Sequence, residues 1–329
     1  MKPVVWGILS VSTHYKLRIH TNLVKSPLVD MRGIASRSRD RAAEAARDLG
    51  LQKAYGSYEE LLADKEIEAV YIPLPNHMHA EWVKKAADAG KHVLCEKPFA
   101  MDAQEAEQAV RHAERKGVLV MEAFMYRFHP QWKRAREIVR SGEIGDVRSV
   151  NTIFSYMLTD PTNIRNVLSS GGGAIPDIGC YAVSSARFLV GREPTRVVSL
   201  VHRDPKLKTD ILTSGILDFG VARSIFTVGT QSYPWQRVEV LGSGGELSVQ
   251  IPFNPFPDVP MQVVVTTGVG TRTYLSPTAD QYVEMFEPFS RAVREGGPVP
   301  TPPQDAIDNM KVLDALFRSE KSGGWEQVG

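Results

Sequence analysis

Several features that mark particular protein classes are scarce in this sequence of 329 residues. Its only cysteines are Cys95 and Cys180, too few for a disulfide framework, which favours a protein of the reducing cytoplasm. No apolar run approaches the roughly 20 residues that cross a bilayer, and the apolar run at the start is shorter than that of a secretory signal. With 39 basic and 38 acidic side chains, the chain lacks the excess positive charge that marks binding to nucleic acid or anionic membranes. These absences leave a small molecule as the expected partner.

The spacing of metal ligands is absent as well. His77 and His79 are one residue apart, but no cysteine, aspartate or third histidine accompanies them in the spacing of a zinc site. No metal is therefore predicted.

The length suggests two domains of about 150 residues each, and we expect the first to span residues 1–123. Continuous apolar runs there alternate with amphipathic stretches, a pattern typical of strands buried on both faces and of the helices between them. Strands are predicted at 4–9, 29–35, 69–72, 92–95 and 118–123, and helices at 16–25, 39–49, 78–89 and 103–116. The alternation predicts an α/β domain with a doubly wound parallel sheet, the usual scaffold for a dinucleotide.

Residues 124–329 follow a different rhythm. Strands are predicted at 147–158, 196–202, 211–219, 223–230, 237–241, 247–251 and 261–266, and helices at 130–141, 281–295 and 303–317. Consecutive strands without helices between them predict an α+β domain built on a largely antiparallel open sheet. Helices are expected to cover one face, leaving the other to bury a substrate or a second subunit, so a homodimer or homotetramer is expected.

The most informative local feature is the stretch Gly-Lys-His-Val-Leu-Cys-Glu-Lys-Pro at 90–98. A short apolar strand stops there at Lys97, which is held against a proline. Small ligands collect at the carboxyl ends of strands in such sheets. Lys97 is therefore predicted to point its ammonium into the binding crevice as a catalytic cation.

The first turn of a dinucleotide fold normally carries Gly-x-Gly-x-x-Gly, but here Ser10, Ser12 and Tyr15 occupy the three glycine positions. Glycine permits a tight turn and close approach of the pyrophosphate. The serine hydroxyls and the helix N-terminus can still donate to phosphate. The alternative is that the fold no longer holds a cofactor, and this turn alone does not decide between the two.

The end of the second strand indicates which dinucleotide binds. Ser36 and Arg37 stand where an acidic residue would accept from a ribose 2′-hydroxyl, and they offer donors suited to a 2′-phosphate. NADP is therefore favoured over NAD. The alternative is a solvated basic turn in which Ser38 caps the next helix.

Four motifs in order resemble the glucose-fructose oxidoreductase and inositol dehydrogenase (Gfo/Idh/MocA) family of sugar dehydrogenases. They are Pro-Leu-Pro-Asn-x-x-His at 73–79, the stretch at 90–98, Glu-Ala-Phe-Met-Tyr-Arg-Phe-His-Pro at 122–130 and Gly-Gly-Gly-Ala-Ile-Pro-Asp-Ile-Gly-Cys-Tyr at 171–181. The set spans both halves of the chain and looks closest to the branch of xylose dehydrogenases, dimeric dihydrodiol dehydrogenase and deoxysugar ketoreductases. The glycine-poor turn departs from that branch.

The resemblance implies hydride transfer between a nicotinamide cofactor and a sugar or related polyhydroxylated substrate. Lys97 matches the family lysine, which often precedes a cis proline, and Asp177 and Tyr181 match an Asp-x-x-x-His motif with tyrosine replacing histidine. Tyr181 would exchange the proton, Lys97 would stabilise the developing oxyanion, and Asp177 would orient a substrate hydroxyl. The alternative makes Asp177 a helix cap and Tyr181 a core residue.

The remaining candidates lie in the loops that follow strands or precede the triple glycine. Predicted cofactor-binding residues are Ser10, Ser12, Thr13, His14, Ser36, Arg37, Leu74, Pro75, Asn76, His79, Glu96 and Lys97. Predicted substrate-binding residues are Tyr126, Arg127, His129 and Arg165.

Two other functional classes remain open. A non-catalytic regulator that binds a dinucleotide or sugar is favoured by the glycine-poor turn, whereas a proton path through Lys97, Asp177 and Tyr181 argues against it. The second class is cleavage of a glycoside through transient oxidation, with the cofactor recycled in place, which some members of the resembling family perform.

Overall fold

The computed structural model describes all 329 residues, and the chain divides into two compact units. The first unit comprises Met1–Met125 and Tyr282–Ile307, and the second comprises Tyr126–Gln281 and Asp308–Gly329. The sequence places residues 282–307 in the second domain, whereas in the structure they pack within the first unit. No helix is long and apolar enough to cross a membrane.

The first unit is an α/β layer structure around a six-stranded sheet in the order β3-β2-β1-β4-β5-β6, and every strand pair is parallel. This confirms the doubly wound parallel sheet. Its elements are β1 Val4–Leu9, α1 His20–Leu23, β2 Val29–Ala35, α2 Arg39–Leu49, β3 Lys53–Tyr55, α3 Tyr58–Ala63, β4 Ala69–Ile72, α4 His79–Asp88, β5 His92–Cys95, α5 Ala103–Arg115 and β6 Val120–Glu122. The short elements β3 and α3 were not predicted.

The second unit contains a nine-stranded sheet in the order β14-β13-β12-β11-β7-β10-β9-β8-β15. Only the pair β7 and β10 is parallel, so the largely antiparallel sheet is confirmed. The remaining elements of the chain are α6 Pro130–Ser141, β7 Val147–Met157, α7 Cys180–Val190, β8 Arg196–Arg203, β9 Asp210–Asp218, β10 Arg223–Gly229, β11 Gln231–Gly242, β12 Gly245–Val249, β13 Gln262–Thr267, β14 Gly270–Leu275, α8 Gln281–Glu295, α9 Gln304–Ser322 and β15 Glu326–Gln327. Of these, α8 packs within the first unit.

The two faces of this second sheet differ. One face packs against α6, α7 and α9, and its side chains, such as Phe154, Phe226 and Val240, are buried. The other face carries exposed apolar side chains on five neighbouring strands. These are Ile153, Met157, Leu200, Leu212, Ile225 and Trp235. A sheet with one covered face and one apolar open face agrees with the sequence-based expectation.

Candidate functional site

The glycine-poor turn after β1 keeps a conformation that favours glycine. Ser10 has a φ of 149°, and a non-glycine residue rarely adopts such a value. Ser12 Oγ accepts from the Tyr15 amide at 3.5 Å, while Thr13 is exposed. A π-helical turn, Tyr15–Ile19, then leads into α1.

Tyr15, at the third glycine position, does not block this turn. Its ring is fully buried, and its hydroxyl lies 3.0 Å from Nδ1 of His20. Burial raises the pKa of Tyr15 well above its usual value, so the hydroxyl stays protonated. The π-turn thus accommodates a large ring where close packing would otherwise require glycine.

Donors gather at the carboxyl end of β2. Ser36 is buried and its hydroxyl accepts from the Ser38 amide at 3.3 Å, while Arg37 is exposed. Ser38 caps α2 by accepting from the Arg41 amide at 3.4 Å, as the structural alternative predicted. The cap and a phosphate site are compatible, because the cap occupies Ser38 and leaves Arg37 exposed.

A cavity of about 180 Å³ lies next to the turn that follows β1. Arg41 reaches across it and donates to the Val11 carbonyl at 3.4 Å. The lining residues are Val11, Thr13, Lys16, Arg41, Glu44 and Ala45. Two cations and a hydroxyl beside a helix N-terminus are a donor set that fits the phosphates of a dinucleotide.

His79 links the loops that follow β4 and β5. Its ring is fully buried, with Nδ1 2.7 Å from the Pro98 carbonyl oxygen and Nε2 2.8 Å from the Leu74 carbonyl oxygen. Burial lowers the pKa of His79. Leu74 is buried, and Pro75 and Asn76 are half-buried in the same loop. His79 therefore shapes the candidate cofactor loops through their backbone.

Lys97 follows β5 and is half-buried. The Lys97–Pro98 peptide bond is cis, as the resemblance implied. The adjacent Glu96 accepts from the Tyr71 hydroxyl at 2.7 Å and lies 3.9 Å from Nε2 of His14. These contacts hold the peptide before Lys97 at the carboxyl end of the sheet, where the sequence predicted a ligand crevice.

Asp177 is the best-defined acidic group of the second unit. It lies in a π-helical turn, Ile175–Gly179, which runs directly into α7. Arg165 Nε donates to Asp177 Oδ1 at 3.1 Å, and the Tyr156 hydroxyl donates to Oδ2 at 2.5 Å. Burial, with a contribution from the Asp177 charge, raises the pKa of Tyr156 far above its usual value, so Tyr156 remains a donor. Asp177 is thus an oriented carboxylate rather than the helix cap of the alternative interpretation.

Tyr181 lies four residues after Asp177 on the same helical segment and is 5% exposed. Its ring packs against Tyr126, Phe154 and Phe253, with centroids 5.2–5.9 Å apart. Tyr181 therefore occupies a position in the core, as the alternative interpretation predicted. Lys97 belongs to the first unit, whereas Asp177 and Tyr181 belong to the second.

Three predicted substrate-binding residues make internal contacts. Tyr126 and His129 are fully buried. The Tyr126 hydroxyl is 2.7 Å from Ser184 Oγ, and His129 caps α6 by accepting from the Gln131 amide. Arg127 is 9% exposed and donates to Ser184 Oγ at 2.7 Å. These contacts hold the three side chains within the second unit, and their role in substrate binding stays a prediction.

Sequence reasoning missed Tyr156, Arg41 and Asp210. Tyr156 and Asp210 lie on strands far along the chain from Asp177 and outside every motif, so only the folded sheet brings them to its helix. The signal for Arg41 was its position in the first turn of the predicted helix at 39–49, four residues after Arg37.

Known proteins match both halves of the chain. Residues 11–124 match the model of an oxidoreductase family with an NAD-binding Rossmann fold, and residues 132–248 match the Gfo/Idh/MocA C-terminal domain. An uncharacterized oxidoreductase of Rhizobium meliloti is 41% identical over 100% of both chains. The D-xylose 1-dehydrogenase (NADP(+)) 2 of Haloferax volcanii is 40% identical over 88% of this chain and 89% of its own.

A solved structure is similar over nearly the same extent. KijD10, a 3-ketoreductase from Actinomadura kijaniata in complex with NADP and TDP-benzene, superposes with a TM-score of 0.90 at 29% identity, covering 96% of this chain and 98% of that one. The two domain matches and the near full-length relatives agree with the paired sheets described above. The chain belongs to the Gfo/Idh/MocA family of oxidoreductases.

Proposed function

We propose that this protein is an NADP-dependent oxidoreductase that interconverts a CH–OH group and a carbonyl on a sugar or a closely related polyhydroxylated compound. The observation that carries the proposal is the oriented Asp177 carboxylate, held on both oxygens and followed four residues later by Tyr181. The D-xylose dehydrogenase, whose name specifies NADP(+), supports the substrate class and the cofactor, and the ketoreductase, whose structure is a complex with NADP, supports the cofactor.

The first unit would hold the cofactor. Arg37, which is exposed, would donate to a 2′-phosphate together with Ser36, and Thr13 and Lys16 line the cavity beside the first turn. These residues suit NADP better than NAD, because they are donors and the turn lacks the carboxylate that would bind a ribose 2′-hydroxyl and repel a 2′-phosphate. A bound nicotinamide supplies or accepts the hydride at the substrate carbon.

Lys97 and Tyr181 would divide the charge and the proton at the substrate oxygen. A lysine ammonium close to that oxygen stabilises the negative charge that develops there during transfer. The Tyr181 hydroxyl would give the proton to this oxygen in reduction and receive it in oxidation.

Asp177 would fix the substrate without moving a proton. Each carboxylate oxygen has two acceptor positions, and Arg165 and Tyr156 each occupy one of them. These two contacts are compatible with a hydrogen bond from a substrate hydroxyl to Asp177. Polyhydroxylated substrates suit this arrangement, because a second hydroxyl can bind while the first one reacts. Arg165 is then a positioning residue for Asp177 as well as a candidate substrate contact.

The division of labour follows the two predicted domains. We propose that residues 1–123 bind the dinucleotide and that residues 124–329 provide the substrate contacts and the oligomer surface. The open face of the second sheet exposes Leu200, Ile225 and Trp235 among other apolar side chains, and a second copy of the chain would bury them.

Turnover by a Lys97→Met variant tests this function. We expect its reduction of a sugar-derived ketone, or oxidation of an aldose, to fall by at least about 100-fold, as when an oxyanion donor is lost. Tyr181→Phe should also lose turnover. The exposed Lys65 provides the control, and Lys65→Met should keep full activity. Turnover of Lys97→Met within a factor of a few of the parent protein would refute the assignment.

Binding of cofactor separates the catalytic proposal from the other two classes. In a fluorescence titration of cofactor-stripped protein, NADPH should bind more tightly than NADH. Absorbance at the reduced-nicotinamide band should then change in proportion to product. Product formed without net absorbance change would indicate cofactor recycling, and binding without any product would indicate a regulator.

A further inference from the structure

Asp210, at the start of β9, is a buried carboxylate that contacts the helical segment of the candidate site. Its side chain is 1% exposed. Oδ2 accepts from the Ile175 amide at 2.6 Å and from Thr213 Oγ1 at 3.4 Å. Ile175 is the first residue of the π-turn that contains Asp177. A strand carboxylate thus binds the buried N-terminal N–H end of that segment, where negative charge is favoured.

We propose that Asp210 is a positioning residue for the reaction: its ionised carboxylate holds the first turn of the segment Ile175–Val190, and through it the placement of Asp177 and Tyr181. This inference rests on the proposed function, because it assumes that Asp177 and Tyr181 act on the substrate.

The triple glycine supplies independent geometric support. Gly173 has a φ of 136°, and a Cβ there would overlap Asp210 Oδ1. The carboxylate can therefore reach the Ile175 amide only because residue 173 has no side chain. This close approach gives a physical reason for glycine at residue 173 of the triple-glycine motif.

Asp210 supports the orientation of Asp177 through the backbone, because the Ile175 amide that it binds begins the turn that carries Asp177.

The surroundings of Asp210 favour a change of its charge in a measurable pH range. The facing ionisable groups are Arg203 on β8, Glu320 on α9 and Tyr156 on β7. Arg203 donates to both carboxylate oxygens of Glu320 at 2.6 Å, so its charge is largely neutralised by Glu320. Burial raises the pKa of Asp210 to about 6, against the lowering effects of the Ile175 amide and Arg203.

The pH profile of kcat/KM for the parent protein, Asp210→Asn and Asp218→Asn tests the proposal. The parent should lose activity below about pH 6, as the carboxylate is protonated. Asp210→Asn should show no such limb and should remain about tenfold less active at pH 8, as expected when a charge-assisted hydrogen bond becomes a neutral one. Asp218, at the other end of β9, is the matched control and should keep the parent profile.

Thermal unfolding supplies a second readout. A folded-state pKa above the unfolded value makes the protonated form the more favourable one in the fold, so stability falls as pH rises from about 4 to 6. The unfolding midpoint of the parent should therefore rise relative to that of Asp210→Asn when the pH is lowered from 8 to 5. A merely structural carboxylate, with an unshifted pKa, would not give this trend.

Thr213→Val provides a variant that keeps the carboxylate. Removing the hydroxyl donor destabilises the ionised form, so the limb should move to higher pH. A limb that persists in Asp210→Asn, or parent activity in that variant at pH 8, would overturn the proposal. Loss of activity in Lys97→Met together with such a result rejects only the role of Asp210, whereas an active Lys97→Met rejects the proposed function itself.

Discussion

Removing the Tyr156 hydroxyl should weaken both the second unit and its reaction. In Tyr156→Phe, the Asp177 carboxylate loses the 2.5 Å donation to Oδ2 and keeps the donation from Arg165 at 3.1 Å. A hydrogen bond to a charged group contributes about 1.5–3 kcal/mol. Because Arg165 still compensates the charge, we expect the lower half of that range, about 1.5–2 kcal/mol, in the free energy of unfolding.

The same change should appear in the kinetics. If Asp177 orients the substrate, loss of about 1.5–2 kcal/mol in its placement corresponds to a fall of roughly 10- to 30-fold in kcat/KM. Urea unfolding and steady-state kinetics on one preparation measure the two effects together.

Tyr274→Phe is the matched control for this variant. Its hydroxyl donates to the Glu143 carboxylate at 3.2 Å, in the same unit but away from α7. We expect a loss of at most about 1 kcal/mol in stability and unchanged kcat/KM. Equal kinetic effects in the two variants, or parent kcat/KM in Tyr156→Phe, would show that the hydrogen bond from Tyr156 to Asp177 does not serve the reaction.

Three further outcomes are expected. Arg37→Ala should weaken NADPH binding by roughly 10- to 100-fold, since a charge-assisted contact is lost, while NADH binding measured by the same fluorescence titration should change little. The Lys53 ammonium, donating at 2.7 Å, holds the pKa of Asp64 at about 2. Asp64 therefore contributes stability above about pH 4 that is lost as pH falls towards 2, and Asp64→Asn should lower the free energy of unfolding at pH 7 by at most about 2 kcal/mol, a difference that disappears near pH 2. Leu200 is 79% exposed on the open sheet face, so the variant Leu200→Glu should still fold. If that face joins two copies of the chain, the variant should dissociate in analytical ultracentrifugation. An unchanged mass would rule this face out as the subunit interface.

The sequence predicted the longer strands of the first sheet well. β1, β2, β4 and β5 have the predicted bounds, because each consists mainly of buried residues and ends at polar or turn residues, although Asp30 and Arg32 of β2 are half-buried. β3 has only three residues, Lys53–Tyr55, two of them half-buried, and such a short strand leaves no period to detect. α7 escaped a prediction of its bounds for the opposite reason: nine of its eleven residues are buried, so it has no polar face to reveal a helical period.

The placement of α8 could not be predicted from local pattern. The predicted bounds of α8 match the structure. The unit in which α8 packs was predicted differently, because it depends on partners more than 200 residues away along the chain. Trp6 Nε1 donates to Ser290 Oγ at 3.2 Å, and the Trp6 ring packs against Phe286 and Phe289. Arg294 on the same helix pairs with Glu68. These contacts hold α8 in the first unit, and no feature of 281–295 itself indicates them.

The candidate site divides in the same way. Lys97, Asp177 and Tyr181 were predicted because each stands in a motif, and motifs report the residues that chemistry constrains most directly. Tyr156 and Asp210 act on Asp177 and on its helix from neighbouring strands, and strand residues at those positions carry no distinguishing pattern. Sequence reasoning thus reached the groups proposed to touch the substrate, Arg165 among them, and missed Tyr156 and Asp210, which hold Asp177 and its helical segment.

The turn after β1 bears on whether the dinucleotide site has lapsed. Ser10 has a φ of 149°, and such a conformation costs a non-glycine residue about 1–3 kcal/mol, so it persists only where the surrounding structure requires it. A turn that no longer bound a ligand could relax to an ordinary conformation at no functional cost. Instead, the strained backbone is kept, a π-turn accommodates Tyr15, and Thr13, Lys16 and Arg41 line the adjacent cavity. The turn with Ser10, Ser12 and Tyr15 is therefore built differently from a glycine-rich turn, while donors suited to a dinucleotide phosphate line the adjacent cavity.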